Sequence, residues 1–240
     1  MDLAWNNPAA NIRTAETLAT RTKSHLYVLP EMWATGFVTE PEGVAGDERQ
    51  SEALAWMKTF ARQHQCALSG SLAVRIADGS YRNRHYFVTP VSCTFYDKHH
   101  LFTHGGEHLR YTAGSEAVVA EWQGVRFMLQ TCYDLRFPVF ARYGRAGNCY
   151  DVLVYVASWP ASRRLAWDTL VRARAIENQC YVLAVNRVGS DNTTTYDGGS
   201  AIVDPLGRLL GEGCCTVDVA IENLPQVRSR FKVLNDRDVF

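Results

Sequence analysis

The chain has 240 residues, and its 25 Lys and Arg residues balance its 25 Asp and Glu residues, so the formal net charge is +0 at pH 7. A neutral chain offers no basic field to a phosphate backbone, which argues against a nucleic-acid partner. The longest apolar runs, "VLVYVA" and "YVLAV", are far shorter than the ~20 residues that cross a bilayer, and the start does not resemble a signal peptide. We therefore expect a cytoplasmic protein with no membrane association.

The seven cysteines lie mostly inside apolar segments and show no C-x-x-C spacing. This pattern is typical of reduced cytosolic thiols, and it predicts neither a disulfide framework nor a metal site. A chain of this length can bury a core without such crosslinks. Because no linker, charge block or internal repeat divides the sequence, we expect a single domain over residues 1–240.

The first half of the chain alternates between helix and strand patterns. "HLYVLP" predicts a buried strand that ends at Pro30, and residues 47–65 predict a helix with one apolar face. Short strands are then predicted for "CALSGSLAV", "HYFVTP", "CTFYDK", "AVVAEW" and "VRFMLQ".

The second half begins with "RFPVFARYGRAG", which we interpret as a helix capped by Asp134. The apolar run "DVLVYVAS" does not alternate and predicts a strand buried on both faces. An amphipathic helix is predicted for residues 164–178, followed by the strand "YVLAVNRV" and a hairpin whose turn is "DPLG". The mixture predicts an α/β fold in which helices cover the faces of sheets.

Three β-rich runs end in one reactive side chain with polar followers: Glu31 in "YVLPEM", Lys98 in "FYDKHHLF" and Cys132 in "MLQTCYDLRFP". A carboxylate, an ammonium and a thiol at one sheet edge can form a nucleophilic site. The carboxylate takes the thiol proton, the thiolate attacks a carbonyl, and the ammonium stabilises the oxyanion. Each residue alone also has an ordinary interpretation, since such cysteines commonly pack in a core and a lone Glu or Lys is commonly solvated.

The segments "LPEM", "YDKHHLF" and "CYDLRFP" resemble, in order and spacing, the signatures of the nitrilase superfamily of carbon-nitrogen hydrolases. The stretch 155–191 is similar to the superfamily's segment after the nucleophile, and "EHLRYTAG" with "SWPASRR" resembles the bacterial and yeast-type ω-amidases. The resemblance implies a four-layer α-β-β-α sandwich, commonly paired as a homodimer. It also implies an amidase that hydrolyses the terminal amide of small 2-oxo acids such as 2-oxoglutaramate and 2-oxosuccinamate.

The resemblance further implies roles for the residues at matching positions. Glu31 is expected to be the general base, Lys98 the oxyanion stabiliser and Cys132 the nucleophile. Glu107, which precedes a glycine by seven residues, is expected to hold Lys98 and the substrate amide in place. The backbone N–H of Tyr133 is expected to be a second oxyanion donor. Such a cycle needs no metal, no cofactor and no histidine.

The carboxylate of a 2-oxo acid is suited to bidentate binding by a guanidinium. Within "SWPASRR" we predict that Arg163 binds this carboxylate and that Trp159 forms one wall of the site. The alternative for Arg163 is a surface position at the start of the following helix. Arg136 is instead expected to brace the turn after Cys132 through a buried ion pair.

One departure concerns the start of the chain. Members of the superfamily usually have a strand of the central sheet before the region that resembles "LAWNNPAAN", and here that region is reached at Asp2. We therefore expect a sheet without this first strand, or a truncated chain. Two alternatives to the ω-amidase stay open. One is the same fold acting on a nitrile, an N-carbamoyl amino acid or deaminated glutathione, and the other is a catalytically silent dimeric scaffold.

Overall fold

The computed structural model describes residues 1–238. The α-helices of this part are α1 (Pro8–Ala19), α2 (Glu52–His64), α3 (Arg164–Asn178) and α4 (Leu224–Arg230). The strands of the first half are β1 (Leu26–Val28), β2 (Ala67–Arg75), β3 (Tyr81–Val88), β4 (Cys93–Asp97), β5 (Val119–Trp122) and β6 (Val125–Thr131). Those of the second half are β7 (Val152–Ala157), β8 (Tyr181–Asn186), β9 (Val188–Ser190), β10 (Thr195–Asp197), β11 (Ala201–Val203) and β12 (Leu209–Glu212).

The strands form two large sheets and a small hairpin. The first sheet has the order β1-β2-β3-β4, and the second has the order β12-β11-β8-β7-β6-β5. Strands β6, β7 and β8 are parallel neighbours, whereas β2, β3 and β4 pair antiparallel. The hairpin consists of β9 and β10.

The two sheets stack face to face, and helices cover their outer faces. Between the sheets, the ring of Phe87 on β3 lies 4.9 Å from that of Phe127 on β6, centroid to centroid. On the outside of the first sheet, residues of α1, α2 and β2 form one apolar cluster. Phe60 of α2 is a buried member of this cluster. On the outside of the second sheet, α3 packs Trp167 and Val171 against β7 and β8. The predicted four-layer α-β-β-α sandwich is confirmed.

This layering explains the local sequence patterns. Every residue of β7 is buried because α3 covers one face of its sheet and the first sheet covers the other. The predicted hairpin is confirmed by β11 and β12, whose turn is closed by a hydrogen bond from Gly207 N to Asp204 O (2.9 Å). No helix within residues 1–238 combines the length and apolarity needed to cross a bilayer.

The expected absence of a first strand concerns the edge of the first sheet, where β1 is the end strand. In the described part of the chain, β1 pairs with β2 and stands at the end of its sheet. The start of the chain makes one parallel bridge, between Asp2 and Val188.

The helix predicted for "RFPVFARYGRAG" is wrong. Residues 136–147 contain one short 3-10 turn, Arg145–Gly147, and begin at the last residue of another, Cys132–Arg136. Phe137, which precedes Pro138, is extended (φ -117°, ψ 90°), as is usual for a residue before proline, and Gly144 adopts a φ of 80°, outside the helical range. Asp134 therefore caps no long helix.

Candidate active site

The three reactive residues follow the ends of β1, β4 and β6. Strands β1 and β4 run in the same direction, because two antiparallel pairings separate β4 from β2, and β2 is parallel to β1. Glu31 and Lys98 therefore follow the carboxyl ends of strands that point the same way, at the same end of the first sheet. Cys132 leaves the second sheet at the end of β6, and the stacking of the sheets brings its thiol close enough to Glu31 for the charge of the carboxylate to act on it.

Lys98 joins two buried glutamates. Its Nζ donates to Glu31 Oε1 at 2.9 Å and to Glu107 Oε2 at 2.8 Å, and all three side chains are fully enclosed. Two of the three N–H groups of the ammonium are used in this way, and no described residue accepts from the third. One donor of Lys98 is therefore unused within residues 1–238.

The charges of this cluster shift the pKa values of its members. Burial acts to lower the pKa of Lys98, but the charges of Glu107 and Glu31 outweigh it and raise that pKa above its ordinary value. Burial raises the pKa of Glu107, and the nearby Lys98 ammonium opposes this effect. Lys98 is therefore a permanent cation held between two carboxyl groups.

Cys132 is the first residue of the 3-10 turn after β6. Its φ is 46°, in the left-handed region where a side chain is strained, so the surrounding structure holds it there. Burial and then the charge of Glu31 raise the pKa of the thiol well above its usual range, while Lys98 and the Ser158 N–H act in the opposite direction. Burial therefore outweighs the effect of the lysine charge and favours the protonated thiol.

The two oxygens of Glu31 have different partners. Oε1 accepts from Lys98 Nζ and from Asn83 Nδ2, at 2.9 and 2.8 Å. Oε2 accepts from the backbone N of Ser158 at 2.9 Å. Because Oε1 already has two donors and Oε2 has one, the remaining acceptor capacity of the carboxylate lies on Oε2.

Asp134 braces the turn that carries Cys132. Its carboxylate, which is fully buried, accepts from the Tyr96 hydroxyl (2.8 Å), the Thr131 N (2.9 Å), the His100 N (3.0 Å) and His100 Nδ1 (2.8 Å). Two of these donors belong to the segment just after Lys98. The carboxylate thus ties the lysine segment to the cysteine turn.

A cavity of about 350 Å³ opens at Cys132. Its walls include the aromatic residues Phe37, Phe102, Tyr133, Trp159 and Tyr196. This volume is at the small end of the range of about 300–1,000 Å³ for ligand pockets, and it favours a small substrate.

Two guanidinium groups line this cavity. Arg163 lies over the ring of Phe102, with 5.4 Å from Cζ to the ring centroid, and Trp159 Nε1 donates to the Arg163 carbonyl. Arg136 lies over the ring of Trp159 at 4.8 Å and is half-buried. Among the described residues Arg136 makes no ion pair, so the predicted buried ion pair is wrong. The turn exposes its guanidinium to the cavity instead.

The sequence interpretation did not single out Asn83 or Ser158 as site residues. Asn83 lies in the middle of β3, where asparagine is unfavourable, and that is the one signal that could have drawn attention to it. Ser158 contributes a backbone N–H, which every residue except proline has, so no sequence signal identifies it.

The sequence model of the carbon-nitrogen hydrolase family matches residues 4–228. The chain belongs to the carbon-nitrogen hydrolase family. It is 39% identical over 247 residues to the omega-amidase YafV of Escherichia coli K12, covering 99% of this chain and 94% of that protein. It is 35% identical over 245 residues to the 2-oxoglutaramate amidase of Bacillus subtilis, covering 98% and 94%. The predicted superfamily is thereby confirmed.

Solved structures of carbon-nitrogen hydrolases share this architecture. The superfamily protein XC1258 of Xanthomonas campestris superposes with a TM-score of 0.92 at 39% identity, covering 100% of this chain and 95% of that one. The crystal of XC1258 carries an arsenic adduct in its active site. Saccharomyces cerevisiae Nit3 superposes with a TM-score of 0.83 at 21% identity, which shows the shared fold.

Proposed function

We propose that this carbon-nitrogen hydrolase is a cysteine-dependent ω-amidase that converts small 2-oxo-ω-amides to the 2-oxo acid and ammonia. The expected substrates are 2-oxoglutaramate and 2-oxosuccinamate. The observation that carries the proposal is that Cys132 faces a small cavity beside the enclosed cluster of Glu31, Lys98 and Glu107. Relatives named omega-amidase and 2-oxoglutaramate amidase that match nearly the whole chain support the substrate class.

The first half of the proposed cycle forms a thioester. The sulfur of Cys132 attacks the amide carbon while Oε2 of Glu31 takes the thiol proton. Glu31 becomes neutral and the negative charge passes through the sulfur to the carbonyl oxygen of the substrate, so the net charge of the site is unchanged. The third N–H of Lys98 and the backbone N–H of Tyr133 donate to the oxyanion, and a donor of this kind contributes about 3 kcal/mol. The C–N bond then breaks, and the leaving nitrogen takes the proton from Glu31.

The second half releases the acid. A water molecule gives a proton to Glu31 and attacks the thioester carbon, the C–S bond breaks, and the proton returns to the sulfur. Glu107 holds Lys98 in place throughout, since it accepts one of the hydrogen bonds from Nζ. We predict that the cycle needs no metal and no cofactor.

We propose that a guanidinium at the far side of the cavity binds the carboxylate of the 2-oxo acid. Arg163 is the predicted ligand, with Trp159 as a wall, and Arg136 is the second guanidinium within the same cavity. Separate Arg163→Met and Arg136→Met variants distinguish them. The variant that loses the carboxylate ligand raises KM for 2-oxoglutaramate but not for an amide of the same length without a carboxylate. If both amides respond equally to each variant, neither arginine is that ligand.

The central test is ammonia release from four substrates: 2-oxoglutaramate, an alkyl nitrile, an N-carbamoyl amino acid and deaminated glutathione. We expect the highest kcat/KM for 2-oxoglutaramate and no turnover by Cys132→Ala. The matched control is Cys214→Ala, which removes an exposed thiol far along the chain and should keep full activity. Full activity of Cys132→Ala, or preference for another substrate of the panel, would refute the proposal.

Alkylation separates an enzyme from a catalytically silent scaffold. Iodoacetamide carries a primary amide, so we expect it to label Cys132 through the same proton transfer to Glu31. Glu31→Gln should therefore slow labelling of Cys132, measured by peptide mass spectrometry, and leave labelling of Cys214 unchanged. Equal rates at Cys132 in both proteins would favour the silent scaffold.

The assembly and location stay predictions. We propose a homodimer built from a single domain, with a cytoplasmic location. Light scattering behind size-exclusion chromatography tests the dimer, since a monomer mass near 27.0 kDa at micromolar concentration would contradict it.

A further inference from the structure

We propose that Asn83 is a positioning residue of the reaction, whose side-chain amide holds both glutamates so that Oε2 of Glu31 stays directed at Cys132. This inference rests on the proposed function. Asn83 is 1% exposed and lies on β3, with its residue partner Ala73 on β2. It does not line the cavity, so its effect on the substrate is indirect.

Asn83 contacts every charged member of the cluster. Its Nδ2 donates to Glu31 Oε1 at 2.8 Å and to Glu107 Oε1 at 2.9 Å. Its backbone carbonyl accepts from the N of Lys98 at 3.0 Å. Lys98 Nζ bridges the same two carboxylates from the other side. The two glutamates are thus held between a charged donor and a neutral donor.

The orientation of the Asn83 amide follows from its neighbours. Both hydrogens of Nδ2 face carboxylate oxygens, and a flipped amide would place Oδ1 against the same two anions. Oδ1 itself is buried and has no hydrogen-bond partner among the described residues. An orphaned buried oxygen destabilises a fold. Asn83 therefore supplies two donors and leaves its acceptor without a partner. A side chain with a purely structural role would have no need to leave that acceptor unpaired.

The two oxygens of Glu31 therefore have different roles in the proposed reaction. With Oε1 held by Asn83 and Lys98, the carboxylate cannot rotate to present Oε1 to the thiol. Hydrogen bonds to an ionised carboxylate also favour the ionised form, which is the form that accepts a proton. Without the Asn83 amide, the Glu31 carboxylate loses one of these hydrogen bonds and its orientation is less defined.

Other titratable groups face these carboxylates and must be considered in a pH profile. Those that interact electrostatically with Glu31 or Glu107 are Lys98, Cys132, Tyr111 and Tyr196. Burial raises the pKa of Tyr111 and Tyr196 above the ordinary range of tyrosine, so neither titrates on the acidic side. The acid limb of the rate profile therefore reports mainly the carboxyl groups.

The test uses two variants with the branching of asparagine, Asn83→Leu and the isosteric Asn83→Asp, in the full chain. Leucine keeps the branching and the number of side-chain heavy atoms, with a somewhat larger volume, and removes both donors, whereas aspartate keeps the shape and replaces the NH2 group by oxygen. For Asn83→Leu we expect the acid limb of kcat/KM for 2-oxoglutaramate to move to higher pH by about one unit. We expect kcat to fall by about tenfold or more while KM changes little. Asn83→Asp should also lose activity, since a third carboxyl group repels the other two.

The matched control is Asn178→Leu. Asn178 is likewise fully buried, but its side chain bonds to the backbone groups Tyr143 N and Arg174 O, away from the cluster. Its loss should lower the melting temperature without moving the acid limb. An acid limb that coincides for wild type, Asn83→Leu and Asn178→Leu would overturn the inference. If Asn83→Leu does not fold, a wild-type profile in the isosteric Asn83→Asp overturns it equally.

A second readout separates this inference from the proposed function. The pH dependence of Cys132 alkylation by iodoacetamide also depends on proton transfer to Glu31, and it needs no knowledge of the natural substrate. If the wild type releases no ammonia from any substrate of the panel, the proposed function fails. The inference on Asn83 still stands if Asn83→Leu moves the alkylation profile to higher pH, and it falls if the profile does not move.

Discussion

Replacing Lys98 by methionine tests how strongly the buried cluster depends on its cation. Methionine keeps most of the length and volume of lysine but removes the charge from between Glu31 and Glu107, whose side chains are 0% exposed. Breaking a buried ion pair by removing one partner costs about 3–5 kcal/mol. For a chain of 240 residues, each kcal/mol corresponds to about 2–4 °C in melting temperature. We therefore expect Lys98→Met to melt about 6–20 °C below the wild type.

The loss should depend on pH in a defined direction. In the variant, two carboxyl groups share a buried site without a cation, so their folded-state pKa values lie above the unfolded value of about 4.3. Such groups stabilise the fold below the unfolded pKa, and this contribution is lost as the pH rises through the folded pKa. The difference in melting temperature between wild type and variant should therefore be smaller at pH 5 than at pH 8.

The assay is thermal denaturation followed by circular dichroism at both pH values, with Arg110→Met as the matched control. Arg110 and Glu42 form an ion pair at 3.7 Å whose side chains are 52% and 53% exposed. An exposed pair contributes about 0–1 kcal/mol, so its loss should shift the melting temperature by at most about 4 °C at either pH. If Lys98→Met behaves like Arg110→Met, or if its deficit does not grow with pH, the buried cluster is not held by charge.

Three further substitutions follow from other contacts. Gly114→Ala should lower the melting temperature and the activity, because an added Cβ would overlap the Asp97 carbonyl next to Lys98. Gly46→Ala is the control: its Cβ meets no neighbour, and it should leave the melting temperature unchanged. Asp134→Asn weakens four hydrogen bonds to a buried carboxylate, each worth about 1.5–3 kcal/mol, and ammonia release should fall by about tenfold or more; an unchanged rate would show that the brace is dispensable. Trp167→Ala removes a fully buried indole and should cost about 3–5 kcal/mol in denaturant titrations, and a loss below about 1 kcal/mol would contradict the packing of α3.

The part of the site that could be predicted consists of residues that carry their own chemical signal. A carboxylate, a lysine and a cysteine at the ends of three β-rich runs stand out against the apolar residues before them, and the flanking motifs indicated the superfamily. The structure places Glu31, Lys98, Glu107 and Cys132 together. Their catalytic roles remain predictions until the variants are measured.

The part that could not be predicted depends on which neighbours three-dimensional packing supplies. Asn83 matters because strand pairing places it between two glutamates that are 52 and 24 residues away in sequence. Arg136 faces the cavity instead of an acidic partner because the chain after Cys132 forms a tight 3-10 turn and not an α-helix. No pattern within one segment contains either fact.

Elements with a local residue pattern could be predicted from the amino-acid sequence alone. The helix predicted for residues 164–178 is α3, because its apolar spacing needs only one covering face, and the unalternating run of β7 indicated burial on both faces before any neighbour was known. The Glu31 oxygen that accepts only one hydrogen bond, and the two arginines that line the cavity, could be identified only in the folded chain. Hydrogen-bond partners and side-chain directions depend on distances between segments far apart in the chain. The stacking of the two sheets sets these distances.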